Sequence, residues 1–171
     1  VSRARELAAR DNLLFGTVDT WVLWNFAKGR PHVTDETNAS RTLLFNVRTM
    51  SWDKQLLAMF NVPRSALPRV QPSQSLFGTI DKKVFGFSLP VLAVCGDQQS
   101  SLAAAGTKRG TTKVTYGTGT FIAQSLGSRF MLRPHFYTML IPHEGGHGFA
   151  LEAKIEQSGS RIAHALRKGK P

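Results

Sequence analysis

Cysteine is almost absent: the 171 residues hold one, Cys95, so no disulfide can form within the chain. Cys95 closes the apolar run Leu89–Cys95, where a thiol reads as a buried, inert side chain rather than a reactive one. Long hydrophobic runs are missing too. No stretch approaches the roughly 18 apolar residues of a membrane span, and the first residues (Val1, Ser2, Arg3, Ala4, Arg5) show no apolar segment of a secretory signal. These absences predict a cytoplasmic location without a membrane partner. Acidic residues are scarce, eleven against twenty-two Lys and Arg, for a net charge of +11. Such a surplus can mark a nucleic-acid binder. Here the basic residues are scattered singly, the densest group is Arg167, Lys168 and Lys170 at the tail, and aromatics do not interleave with them. A solvated basic surface, favourable to phosphorylated ligands, is the better reading.

What is present fits a packed domain or pieces of two: 42% hydrophobic and 19% charged residues. Residues 3–10 read as a short helix or the end of one. Thr17 or Asp19 is placed to cap a second, carrying Trp21, Leu23, Trp24 and Phe26 and stopping at Gly29 before Pro31. Leu43–Val47 reads as a strand, and Ser51 as the cap of a third helix with Leu56, Leu57 and Phe60 inward. Prolines 63, 68 and 72 punctuate a loop-rich stretch. The unbroken apolar run Leu89–Cys95 predicts a strand covered on both faces, followed by a helix Gln98–Ala105 closed by Gly106. Beyond that the texture changes to a meander of four strands, Thr111–Tyr116, Thr120–Gln124, Phe136–Ile141 and Phe149–Ile155, with a last helix from Ser158 to Leu166. The shift at Gly106 and Thr107 predicts a domain boundary.

Three constellations could carry chemistry. Gly96-Asp97-Gln98-Gln99 ends a strand and opens a helix, which sets a carboxylate at the carboxyl edge of a sheet, where α/β folds bind ligands. The competing reading makes Asp97 a plain helix cap. Tyr116-Gly117-Thr118-Gly119-Thr120 is a tight turn whose backbone N–H groups and hydroxyl could hold phosphate oxygens, or could only reverse a hairpin. His143-Glu144-Gly145-Gly146-His147 matches the zinc-protease pattern in letters. That chemistry needs both imidazoles on one face of a continuous helix. Pro142 and two adjacent glycines, about 2 kcal/mol worse than alanine in a helix, predict a hairpin turn without zinc. Trp21, Trp24 and the phenylalanines read as core, and the chemistry of the polar stretch Asp35–Arg41 is not legible from its own residues.

Several segments in order resemble one family. Gly16-Thr17-Val18-Asp19-Thr20-Trp21, Val33-Thr34-Asp35 with Thr37-Asn38-Ala39-Ser40-Arg41-Thr42, Gly96-Asp97-Gln98-Gln99 and Thr115-Tyr116-Gly117-Thr118-Gly119 are similar to the motifs of bacterial-type glycerol kinases, a branch of the FGGY carbohydrate kinases. The resemblance runs from about Arg5 to Glu152. It implies an α/β, actin- and hexokinase-like (ribonuclease H-like) ATPase fold, present in part and spanning the junction of two domains. Residues 1–106 would end the first domain and 107–171 would open the second. It implies phosphorylation of glycerol to glycerol 3-phosphate, with ATP and Mg²⁺ as cofactors and ADP as product. Site roles follow only from this resemblance: Asp97 as general base, Gln98 as a hydrogen-bond partner of the polyol, Phe121 packed on the carbon skeleton of glycerol, Gly117 and Thr118 at the ATP phosphates, and Gly159 beside the nucleotide. No protein metal ligand is assigned.

The departures also inform. The family's first phosphate loop, its upstream glycerol-gripping residues and its later adenine-binding glycines have no counterpart here, so the chain is expected to be a middle segment with no activity alone. Lys154, Glu156 and Gln157 stand where the family is small and apolar, and Ala163 where it has a glutamine. Two alternatives stay open: a kinase for another polyol or sugar, and a non-catalytic relic serving as a basic binding module. The oligomeric state, a homo-oligomer included, is not fixed by the sequence.

Overall fold

A computed structural model describes residues 2–117, 119–156 and 158–168. It divides into two compact units, Val1–Gly96 and Asp97–Pro171. The first contains α1 (Ser2–Ala9), α2 (Val18–Phe26), β1 (Val33–Asp35), α3 (Glu36–Ser40), β2 (Phe45–Asn46), β3 (Ser51–Trp52), α4 (Lys54–Phe60), a 3₁₀ turn (Arg64–Ala66), β4 (Arg69–Gln71), β5 (Gly78–Thr79), α5 (Lys82–Phe85) and β6 (Pro90–Val91). Its strands pair two by two: β1 with β4 in parallel, β2 with β3 and β5 with β6 antiparallel. Leu23, Val33 and Phe77 form a core against which Val91 and Val94 pack.

Local chemistry moves several expected boundaries. Asp53, not Ser51, caps α4, accepting from the N–H groups of Gln55 and Leu56 at 2.9 and 3.1 Å, while Ser51 pairs in β3. Leu57 is buried but Phe60 is 54% exposed: Leu56 and Phe60, four apart, form a ridge beside the face that Leu57 buries. The strand expected from Leu43 begins at Phe45, because Leu43 takes a left-handed φ of 63°. Helix α2 stops at Phe26, short of Gly29.

The largest correction concerns Leu89–Cys95. Only Pro90 and Val91 pair as a strand, and Leu89 and Leu92 are exposed. The partner turns away: Val91 O accepts from Phe77 N, but the next N–H groups go elsewhere, Val94 N to Ser73 O at 3.0 Å and Gly96 N to Thr37 Oγ1 at 2.9 Å. The segment is anchored along one edge by a loop and a side chain, not buried between two strands.

The second unit contains α6 (Asp97–Ala105), β7 (Thr112–Tyr116), β8 (Thr120–Gly127), β9 (Tyr137–His143), β10 (Gly146–Ile155) and α7 (Ser158–Arg167). The four strands are antiparallel in the order β7-β8-β10-β9, not a simple meander, because β10 folds back between β9 and β8. Helix α6 lies on one face, with Leu102 fully buried among Ala123, Met139, Ile141 and Ala150. That packing draws α6 into this unit, so the division of packing lies one helix before the change of sequence texture at Gly106. Gly106 ends the helix with its N–H on Leu102 O and a φ of 132°.

Candidate functional site

Asp97 is the first residue of α6, and its Oδ1 accepts from the N–H of Gln98 at 2.7 Å. Its side chain is exposed, a carboxylate at a helix N-terminus. The helix is fixed beneath it by buried Gln99 and Leu102. Gln98 Oε1 accepts from Lys113 Nζ at 2.9 Å. Lys113 belongs to β7, the strand that runs into the glycine turn, so this bond ties the start of α6 to the arm of the second motif.

The turn closes a hairpin. Tyr116 pairs with Thr120, and Gly117 N donates to Gly119 O at 3.0 Å. Thr118 lies outside the described residues. A Cβ on Gly119 would stand 3.1 Å from Ile155 O, so any side chain here would push β10 back by a few tenths of an ångström, and glycine avoids that. Phe121 is half-buried, with the Lys154 ammonium 5.6 Å from its ring centroid. Lys154 also pairs with Glu156 at 2.8 Å. Gly159 is the second residue of α7. Asp97, Gln98, Gly117, Phe121 and Gly159 thus all fall in one compact unit, and the Gln98–Lys113 bond brings the first two against the strand that leads to the third.

His143-Glu144-Gly145-Gly146-His147 is a two-residue hairpin between β9 and β10, with Gly145 at φ 83°. His143 pairs with Gly146, and His147 is the next residue along β10. Opposed residues share a face and neighbours alternate, so the two imidazoles point to opposite sides. His143 Nδ1 lies 2.8 Å from Glu144 O, and the His147 ring stands edge-on to Phe149.

The sequence reading missed a buried polar centre in the first unit. Asp35 is fully buried and caps α3. Its Oδ1 accepts from Asn38 N at 3.0 Å and Asn38 Nδ2 at 2.7 Å. Its Oδ2 accepts from Thr37 N at 3.0 Å and from the hydroxyls of Thr37 and Ser73, each at 2.6 Å. Next to it, Thr34 donates to Asp19 at 2.6 Å. The signal was there in principle: Asp35 followed at two and three residues by Thr37 and Asn38 is an Asx cap pattern. Burial and the charge of Asp35 raise the Glu36 carboxyl to about 7. Burial raises the Cys95 thiol to about 11, against a smaller lowering by its Thr37 contact. Cys95 therefore stays protonated and is no nucleophile.

The chain matches the N-terminal domain of the FGGY family of carbohydrate kinases over residues 2–104. It is 42% identical over 165 residues to a glycerol kinase of Clostridium botulinum (strain Hall), covering 95% of this chain and 33% of that one. A glycerol kinase of Dichelobacter nodosus is 47% identical over 133 residues, 77% of this chain and 27% of that protein. The chain thus spans about a third of the length of these relatives. Among solved structures, Plasmodium falciparum glycerol kinase with ADP superposes with a TM-score of 0.89 at 29% identity, covering 96% of this chain and 34% of that one. A xylulose kinase from Rhodospirillum rubrum, at 0.73 and 18% identity over 93% and 34% of the two chains, shares the fold alone. The fold is the actin/hexokinase-like α/β fold of these sugar kinases. Among the described residues no helix is long and apolar enough to cross a membrane.

Proposed function

This chain belongs to the FGGY family of carbohydrate kinases, and from that premise we propose that it supplies the catalytic-base segment of a cytoplasmic glycerol kinase. The reaction transfers the γ-phosphoryl group of ATP to a glycerol hydroxyl, giving glycerol 3-phosphate and ADP. Residues 1–106 form the end of the first kinase domain and 107–171 the start of the second, a division supported by the family match ending at residue 104.

The observation that carries the reading is the exposed carboxylate of Asp97 at the N-terminus of α6, with Gln98 bonded to the strand that enters the glycine turn. Phosphoryl transfer needs alignment and charge stabilisation, with little covalent work from the protein. Asp97 accepts the hydroxyl proton as the new P–O bond forms. The amide of Gln98, held by Lys113, orients the polyol. Gly117 lets the phosphates approach the turn closely and Thr118 offers donors to phosphate oxygens as charge shifts towards the leaving ADP, Phe121 carries the apolar side of glycerol, and Gly159 leaves room beside the nucleotide. Mg²⁺ supplies charge neutralisation when it arrives with ATP. No group of three or more His, Cys, Asp or Glu side chains among the described residues could hold a metal. No residue here is assigned to Mg²⁺, which keeps several waters and binds through substrate phosphates with one or two carboxylates.

The test is a pair of variants in the intact kinase. Asp97→Asn keeps size and most hydrogen bonding but cannot take the proton, so turnover falls about 10²–10⁴-fold with nucleotide affinity little changed. Thr118→Val removes a donor near the phosphates and weakens nucleotide binding and rate together, by about 1.5–3 kcal/mol for one charge-assisted bond. Near-normal turnover in Asp97→Asn would reduce the carboxylate to a helix cap and end the proposal.

A further inference from the structure

We infer that Lys113 is a positioning residue for the polyol, fixing which end of the Gln98 amide faces the substrate. The inference rests on the reading of Gln98 as a polyol contact, and every residue it uses belongs to the second unit. Lys113 stands on β7 opposite Ala123 of β8. Opposed residues share a face of the sheet, and Ala123 packs with Leu102 of α6, so Lys113 projects towards that helix. Its neighbours along β7, Thr112 and Val114, are exposed on the other face. Lys113 reaches the helix at Gln98, where the ammonium donates to the amide Oε1 at 2.9 Å. Both side chains are half-buried.

An amide has two unlike ends of nearly the same shape: its oxygen accepts and its NH₂ donates. Left free, Gln98 could turn either end to a hydroxyl, because a hydroxyl both donates and accepts. A lysine ammonium has three donors and no acceptor, so only the amide oxygen can face Lys113. The NH₂ group is thereby left for the ligand. Gln98 meets the polyol as a donor, and the hydroxyl it binds accepts. The bond does more than orient. A charged donor holds the oxygen more firmly than a neutral one, and hydrogen bonds linked through one amide polarise each other, so the NH₂ becomes a better donor. A lysine on the inward face of an edge strand can also serve simply to keep foreign strands from pairing, and β7 is an edge of its sheet. That duty needs a charge but no partner, whereas here the charge is engaged at one atom of α6.

The test separates this role from edge protection and from folding. In the intact kinase, Lys113→Met keeps the stem and removes the donor. It should raise KM for glycerol about 3–10-fold, the usual contribution of one hydrogen bond, with kcat and KM for ATP within twofold, the pattern of lost uniform binding. Gln98→Ala should raise KM for glycerol at least as much. Adding Lys113→Met to Gln98→Ala should change it less than twofold further, because residues that act through one contact are not additive. Gln98→Glu keeps the bond to Lys113 but has no N–H, and it should behave like Gln98→Ala. Should Lys113→Met fail to fold, Lys113→Thr, a good strand former too short to reach Gln98, takes its place with the same expectations. A rise that persists undiminished in the Gln98→Ala background, or normal KM for glycerol in Gln98→Glu, would overturn the inference. So would normal KM in Lys113→Met when Gln98→Ala has raised it, and Lys113 would then be a guard of the edge alone. If instead Gln98→Ala binds glycerol normally, the assignment of Gln98 to the polyol is what fails, and the role of Lys113 falls with it.

Discussion

Replacing Asp35 by Asn tests the buried polar centre most directly. The substitution leaves the shape of the side chain unchanged and exchanges one acceptor oxygen for an NH₂ group. In either orientation of the amide, that NH₂ meets a backbone donor: Asn38 N if it takes the Oδ1 position, Thr37 N if it takes the Oδ2 position. The hydroxyls of Thr37 and Ser73 can rotate, and the side chain of Asn38 can flip, but a backbone N–H cannot. One buried N–H is therefore orphaned, at about 1–3 kcal/mol. The remaining bonds lose their charge assistance, roughly another kcal/mol each, offset in part because the carboxylate no longer has to be kept charged away from water. The net loss expected is about 2–4 kcal/mol, a large share of the roughly 5–15 kcal/mol that holds a domain folded. Urea titration of both chains followed by circular dichroism measures it, with the slope checked for equality so that the midpoints compare stabilities. A loss below 1 kcal/mol would refute the claim that Asp35 organises this unit.

Other outcomes follow from the same geometry. Glu36 has a folded pKa raised from 4.5 to about 7 by burial and by Asp35, so the folded chain keeps a proton that the unfolded chain releases above about 4.5. Stability should then fall as pH rises from about 4.5 to 7, by about 1–2 kcal/mol once solvent screening is allowed. Urea midpoints across that range should slope down in wild type and flatten in Glu36→Gln; an unchanged slope in the variant would assign it to another group. For the hairpin histidines, zinc titration by calorimetry should show no tight equivalent of metal that disappears in His147→Ala, because the two rings lie on opposite faces; a tight site lost in that variant would contradict the register of β9 and β10.

Much of this protein was determined by sequence alone, because the deciding interactions are local. The helix at Gln98–Ala105 needed only Asp97 before it and Gly106 after it. The turns at Gly117–Gly119 and Glu144-Gly145 needed only glycines between alternating strand residues, and the family needed only four short motifs in order. Where the partner of a residue lies far along the chain, the sequence was silent or misleading. The apolar run Leu89–Cys95 has the composition of a buried strand, but whether it pairs depends on where residues 73–77 run, and those before Phe77 do not continue the pairing of Gly78 and Thr79 with Pro90 and Val91. Phe60 and Leu57 are equally apolar, and only the packing of α4 decides which faces the core. The polar stretch Asp35–Arg41 could not be read from its own residues. Its Asp35, Glu36, Thr37 and Ala39 are buried, because Ser73, 38 residues away, adds a donor to the local bonds on the Asp35 carboxylate, while Gly96, 59 residues away, binds the Thr37 hydroxyl. Satisfaction of a buried charge is a property of three dimensions: the sequence held every donor, and the tertiary fold brought them to one carboxylate.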